Sequence, residues 1–239
     1  MTVNKFEVLD KGYVRLEAIT GSDLTSVNSA KVSYDKRSEE FTDKEKRLIK
    51  FLATHGHTSP FRHAFVTFEI YAPLMIARQM WKYIIGHAHV DPFTAWNESS
   101  RRYITEEPEF YLPAPNEWRS APENSKQGSG ECLPLEKGEV MTAELLRKQQ
   151  KALEDYDYAM SKGVAPELAR LFLPAYGLYV RWYWSGSLQG MAHMLNQRLA
   201  SDSQAEFQLY ARAIYDLLIE HFPVSLSELV QLMEEEEAK

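Results

Sequence analysis

A single cysteine, Cys132, stands in 239 residues. This excludes an internal disulfide framework and any metal site built from several thiolates. Positive charge is also short: 27 Lys and Arg against 34 Asp and Glu give a formal net charge of -7. That is the wrong sign for a general nucleic-acid binder, whose phosphate contacts need a basic face. No stretch approaches the ~18 to 20 apolar residues of a membrane span. Met1-Thr2-Val3-Asn4-Lys5 has no basic segment running into an apolar one, so no membrane association and a soluble cytoplasmic protein are expected. No internal repeat is evident. What is present is 44% hydrophobic residues over a length that suits one domain, 1–239, with its own core.

Hydrophobic periodicity orders the chain coarsely. Val14 to Ile19 alternates apolar and polar as a half-buried strand, and Phe65 to Ile70 is a second, strongly β-prone one. Thr42 and Glu45 have capping-box spacing for a helix over 42–53, with Leu48, Phe51 and Leu52 on its apolar face. Pro73 precedes a helical stretch from Leu74 to Lys82 or beyond, placing Arg78 and Lys82 on one face. An irregular flap is expected near 85–96 and a Pro/Gly-rich loop near 113–138, followed by an amphipathic helix from Met141 to Met160. Pro166 suits a first helical turn. The last third reads as helical, with Ser187 capping a helix through Gln197, and Ser201 with Gln204 opening another from Glu206 to His221. The fold class is therefore α+β, a small antiparallel or mixed sheet packed against a set of helices.

Asn97-Glu98-Ser99-Ser100-Arg101-Arg102-Tyr103 concentrates amide, carboxylate, hydroxyl and guanidinium groups in one run. Guanidinium forks and hydroxyls suit a phosphate, while an amide or carboxylate reads a ring edge. In an acidic chain such a cluster points to one small anionic ligand. No Ser-His-acid arrangement is evident, so Ser100 reads as a binder, not a nucleophile. Five histidines lie between His55 and His89, yet His-x-His pairs need a third ligand and an oriented outer shell, and no metal site is assigned.

Together with His57-Thr58-Ser59-Pro60-Phe61-Arg62-His63, Arg78-Gln79-Met80-Trp81, Arg170, Leu173-Pro174, Arg198 and Gln204-Ala205-Glu206, that run resembles the flavin-dependent thymidylate synthases over nearly the whole chain. The resemblance implies a substrate site for deoxyuridine monophosphate at Gln79, Lys82, Glu98, Ser99, Ser100, Arg101, Arg102, Arg170 and Arg198, with Ser100, Arg102 and Arg170 on the phosphate. Arg198 is the implied catalytic residue, forking onto the uracil ring and favouring loss of its N3 proton. That loss enriches the ring carbon that must attack, with no enzyme nucleophile needed. Classical thymidylate synthases, of unrelated fold, use a cysteine instead; Cys132 is assigned no such role.

The same resemblance implies FAD contacts at Ser33, His57, Ser59, Lys82, Tyr83, Ile84, Asn97, Glu98, Ser187, Gln189 and His193. Here the sequence departs from the family. Lys82-Tyr83-Ile84 stands where relatives carry Arg-His-Arg, extra residues precede Asn97, and Ser187, Gln189 and His193 replace Asn, Arg and Asn. The nucleotide half of the site is kept and the flavin half altered. The implied activity transfers a one-carbon unit from methylenetetrahydrofolate to dUMP, with FAD and NADPH, giving dTMP in a homotetramer. A folate-dependent deoxyuridylate hydroxymethylase and a catalytically silent nucleotide-binding homologue are the alternatives.

Overall fold

The protein is described here by a computed structural model covering residues 4–87, 94–101, 107–123 and 128–231, with side chains of 84–87 left out. Five strands, β1 (Lys5–Val8), β2 (Gly12–Thr20), β3 (Phe65–Pro73), β4 (Ala95–Glu98) and β5 (Tyr179–Ser187), form one sheet in the order β1-β2-β3-β5-β4. Every pairing is antiparallel. The helices are α1 (Asp23–Lys31), α2 (Asp43–Thr54), α3 (Leu74–His87), α4 (Leu135–Ser161), α5 (Pro166–Ala169), α6 (Leu188–Arg198), α7 (Ala205–Ile219) and α8 (Pro223–Leu229). The α+β expectation holds.

Alternation along β3 and β5 sets the layers. Val66, Phe68, Ile70 and Ala72, with Val180, Trp182 and Trp184 across the register, are buried. They share one core with Ile76 and Met80 of α3, Leu188 and Leu195 of α6, and Phe207 and Ile214 of α7. Each such side chain contributes about 1.5–3 kcal/mol on burial. The other face of the sheet is polar: Tyr13, Arg15, Glu69, Arg181 and Tyr183 meet there. The Tyr13 hydroxyl donates to Glu69, whose other oxygen accepts from Arg15 at 2.6 Å. At the sheet's end Tyr210 of α7 donates to the Tyr71 carbonyl at 2.9 Å. Gly12 makes that approach possible, since a Cβ there would fall 1.9 Å from the Tyr210 hydroxyl.

Several sequence expectations are corrected. Tyr179 to Ser187 is a strand, not part of a helical last third, because Val180, Trp182 and Trp184 alternate inward against exposed Arg181 and Tyr183. The region near 85–96 is not wholly irregular. Helix α3 runs through His87 and β4 begins at Ala95, where pairing to Ser185 supplies the hydrogen bonds; residues 88–93 lie outside the described ones. Helix α4 starts at Leu135, inside the expected loop, directly after Pro134. Its first turn is pinned where Gly138 meets the Pro115 carbonyl, leaving no room for a side chain. On α2 the capping box of Thr42 and Glu45 is present, but Ile49 and Leu52 are the buried apolar residues, while Phe51 is exposed. The expected Ser201–Gln204 capping pair is absent: Gln204 occupies the N-cap position of α7 without capping it. Among the described residues no helix is long and apolar enough to cross a membrane.

Candidate active site

Gln79 and Tyr83 stand one turn apart on α3, on the face turned toward α6 and the start of α7. Arg198, the last residue of α6, reaches them both. Its Nε donates to the Tyr83 hydroxyl at 2.6 Å and its Nη1 to Gln79 Oε1 at 3.4 Å. The guanidinium carbon lies 5.4 Å from the Tyr83 ring centre and 5.0 Å from that of Phe207. Among the described residues no carboxylate pairs with Arg198, so its charge is held by neutral groups and rings. Gln79 is itself fixed, its Nε2 donating to Gln204 Oε1 at 2.6 Å. Gln204 Nε2 in turn donates to Glu206 Oε2 at 2.9 Å, and Arg119 donates to the other Glu206 oxygen. Burial pushes the Glu206 carboxyl up, but the hydrogen bonds from Arg119, its own backbone and Gln204, with the Arg119 charge, hold it below the usual range.

Beside this network is a cavity of about 760 Å³, lined among others by Met75, Tyr111, Trp118, Arg119, Gln204 and Glu206. Trp118 and Arg119 arrive on a hairpin closed by the Arg119–Cys132 bridge and by Trp118 Nε1 donating to Thr142 at 2.8 Å. Cys132 is exposed.

Ser33, His57 and Ser59 come together in a second cavity of about 680 Å³ that also carries Lys36, Arg37 and Lys44. His57 stacks on Phe51 with ring centres 5.9 Å apart. Lys31, on the same wall, is paired with Glu45 at 2.6 Å. Cations, hydroxyls and a flat aromatic pair suit a flavin dinucleotide's diphosphate and rings. Ser187 is fully buried and caps α6, its hydroxyl accepting from Gly190 N at 3.1 Å. The side-chain oxygen of Gln189 is buried with no hydrogen-bond partner among the described residues, as a ligand-facing acceptor would be.

Ser99 and Arg101 fall in a third cavity, about 590 Å³, with Tyr71, Glu109 and Arg181. Ser99 N donates to the Arg181 carbonyl at 2.8 Å and its hydroxyl accepts from Arg181 N at 3.1 Å. Ser100 follows directly, and Asn97 and Glu98 are exposed on β4. Burial by surrounding atoms pushes the Glu98 carboxyl up, against a hydrogen bond from Trp96 and the Arg78 charge. Arg102 and the side chain of Ile84 lie outside the described residues. Lys82 is exposed on α3, and Arg170 is exposed with Nε donating to the Glu167 carbonyl at 3.1 Å. Among the described residues the three cavities share no lining residue. One chain brings Gln79, Tyr83, His193 and Arg198 together, and Ser33, His57 and Ser59 together, while Ser99 and Arg101 line a cavity whose described lining includes neither Arg198 nor Gln79.

The network also contains residues given no site role on sequence grounds: Gln197, Gln204, Glu206 and Arg119. Gln197 Oε1 accepts from the Tyr83 hydroxyl at 2.9 Å, and Gln197 Nε2 lies 3.1 Å from His193 Nε2. The i, i+4 spacing of His193 and Gln197 on one helix was the available signal. Nothing local marked Arg119, which is joined to Glu206 only by the fold.

Comparison with known proteins gives a consistent picture. Residues 15–224 match the family described as thymidylate synthase complementing protein. A flavin-dependent thymidylate synthase of Thermus thermophilus is 37% identical over 219 residues, covering 91% of this chain and 75% of the relative. One from Thermotoga neapolitana is 33% identical, covering 92% and 91%. A crystal structure of the UMP/dUMP methylase PolB from Streptomyces cacaoi, bound with 5-Br dUMP, superposes with a TM-score of 0.77 at 25% identity, over 93% of this chain and 96% of that one.

Proposed function

The chain belongs to the flavin-dependent thymidylate synthase family, and from that premise we propose that it is the methyltransferase its site is built for. It transfers a one-carbon unit from methylenetetrahydrofolate to C5 of dUMP, giving dTMP, with FAD as cofactor and NADPH as reductant. The observation that carries this reading is Arg198, a cation with no carboxylate partner among the described residues, held by Gln79 and Tyr83 at the end of α6. A guanidinium so placed offers its outer N–H groups to a uracil edge and favours the N3-deprotonated ring. The enriched C5 then attacks the folate-borne carbon without an enzyme nucleophile, the carbon–nitrogen bond to tetrahydrofolate breaks, and the C5 proton is lost. Exposed Cys132 lines none of the three cavities.

Ser100, Arg102 and Arg170 would hold the phosphate, with Glu98, Ser99 and Arg101 beside it. Ser33, His57 and Ser59, with Lys36, Arg37 and Lys44, would hold the flavin, and Gln189 offers a further acceptor. When bound, the flavin passes the reducing equivalents that turn the transferred carbon into a methyl group. With Ser99 and Arg101 lining a cavity whose described residues include neither Arg198 nor Gln79, the complete nucleotide site would form between copies in a homotetramer. The same reading puts the enzyme in the cytoplasm.

Mass spectrometry of the nucleotide after incubation with dUMP, methylenetetrahydrofolate, FAD and NADPH tests the activity. A gain of one methyl group is expected. A product heavier by a further oxygen would indicate the hydroxymethylase instead, and unchanged dUMP a silent homologue.

A further inference from the structure

We propose that Tyr83 is a positioning residue for Arg198, serving the uracil side of the site although its place in the sequence is that of a flavin contact. This rests on the reading of Arg198 as the uracil-facing group. Tyr83 is 6% exposed, enclosed by α3, α6 and α7. Among the described residues its hydroxyl meets Arg198 and Gln197, and elementary hydrogen-bond chemistry fixes the role of each. Arginine Nε can only donate, so the Tyr83 oxygen accepts from Arg198 at 2.6 Å. The Tyr83 proton must then go to Gln197 Oε1, 2.9 Å away. With that oxygen accepting, the Gln197 amide nitrogen faces His193 Nε2 at 3.1 Å. Donation runs one way, from Arg198 through Tyr83 and Gln197 to His193.

Three features follow from that direction. Nε of Arg198 is engaged by Tyr83 and Nη1 by Gln79, which constrains the plane of the guanidinium and leaves Nη2 for a ligand. The guanidinium carbon also lies 5.4 Å from the Tyr83 ring centre and 5.0 Å from that of Phe207, within reach of the cation–π attraction that favours this placement of the charge. Burial raises the Tyr83 ionisation, partly opposed by the charge and hydrogen bond of Arg198. The phenol therefore stays neutral and can both accept and donate.

The test is a double-mutant cycle on the flavin-loaded enzyme, with Tyr83→Phe, Arg198→Lys and the double variant. Phenylalanine keeps the ring and its packing, and the melting temperature checks that each variant folds. Tyr83→Phe should lower kcat about tenfold while KM for dUMP changes by less than about threefold, the split expected when an interaction matters mainly in the transition state. The acid limb of the kcat profile should move to higher pH, because a misaligned guanidinium stabilises the deprotonated ring less. Flavin occupancy should be unchanged. In the Arg198→Lys background Tyr83→Phe should have almost no further effect. Equal loss in both backgrounds, normal turnover of Tyr83→Phe, or loss of flavin from it would overturn the proposal. Near-normal turnover of Arg198→Lys itself would instead remove the assignment of Arg198, so the two failures are distinguishable.

Discussion

Arg198→Lys separates two roles that the same residue could have. Arg198 occupies the last turn of α6, where any cation complements the helix dipole by about 0.3–1 kcal/mol. If that were its whole purpose, lysine would be almost silent. The structure assigns it more: a charge-assisted hydrogen bond to Tyr83, a longer one to Gln79, and two aromatic supports. Lysine keeps the charge and can re-form one hydrogen bond, but it cannot span both partners and still present a planar edge. The stability cost is small, on the order of 1 kcal/mol from the lost ring stacking, which lowers Tm by about 2–4 °C in a chain this long. The catalytic cost is larger, because the fork on the uracil edge is lost altogether. Turnover should drop at least tenfold, ~1.4 kcal/mol or more of transition-state stabilisation. The assay is kcat at saturating dUMP, methylenetetrahydrofolate and NADPH, with dUMP binding measured separately by calorimetry. Turnover within twofold of the parent, with Tm also unchanged, would show that Arg198 is only a helix-end charge.

Three further outcomes are expected. Ser187→Ala removes the buried N-cap of α6, costing about 1 kcal/mol, and thermal unfolding should show a lower Tm; an unchanged Tm would mean the cap carries no energy. Glu206 is ionised more readily in the folded state than unfolded, so its stabilising contribution is present above its unfolded value of about 4.3 and is lost as pH falls through the lower folded one. Glu206→Gln should be less stable than the parent at pH 7 by urea unfolding and should lose less between neutral and acid pH; parallel pH curves would contradict the pairing with Arg119. Gly138→Ala would force a Cβ to 1.7 Å from the Pro115 carbonyl oxygen, so the first turn of α4 must shift, destabilising by about 1–3 kcal/mol; a parent-like Tm would show that this contact is loose.

Short-range chemistry was legible along the chain. The capping box of Thr42 and Glu45, the Ser187 cap, the β-prone run Phe65 to Ile70 and the Pro73 boundary each depend on residues a few positions apart, and each stands in the structure. Arg198 and Gln79 were named as site residues by resemblance and not by spacing; the structure shows that the two side chains meet. The strand β5 was equally local, an alternation of Val180, Trp182 and Trp184 with Arg181 and Tyr183, but its aromatic run masked the period of two. What depended on tertiary structure involves distance along the chain. Gln204 looked like a cap partner because its spacing from Ser201 fits one; the fold draws its amide to Gln79, 125 positions away. Tyr83 looked like a remnant of a flavin triplet; helix α6 brings Arg198 and Gln197 to its hydroxyl. Arg119 had no signal at all until the hairpin carried it to Glu206. A sequence determines which groups can donate, accept or carry charge, and which segments can be helix or strand. Which of those groups meet is decided by packing, because burying one face of each element against the sheet fixes side chains from remote segments within hydrogen-bond reach.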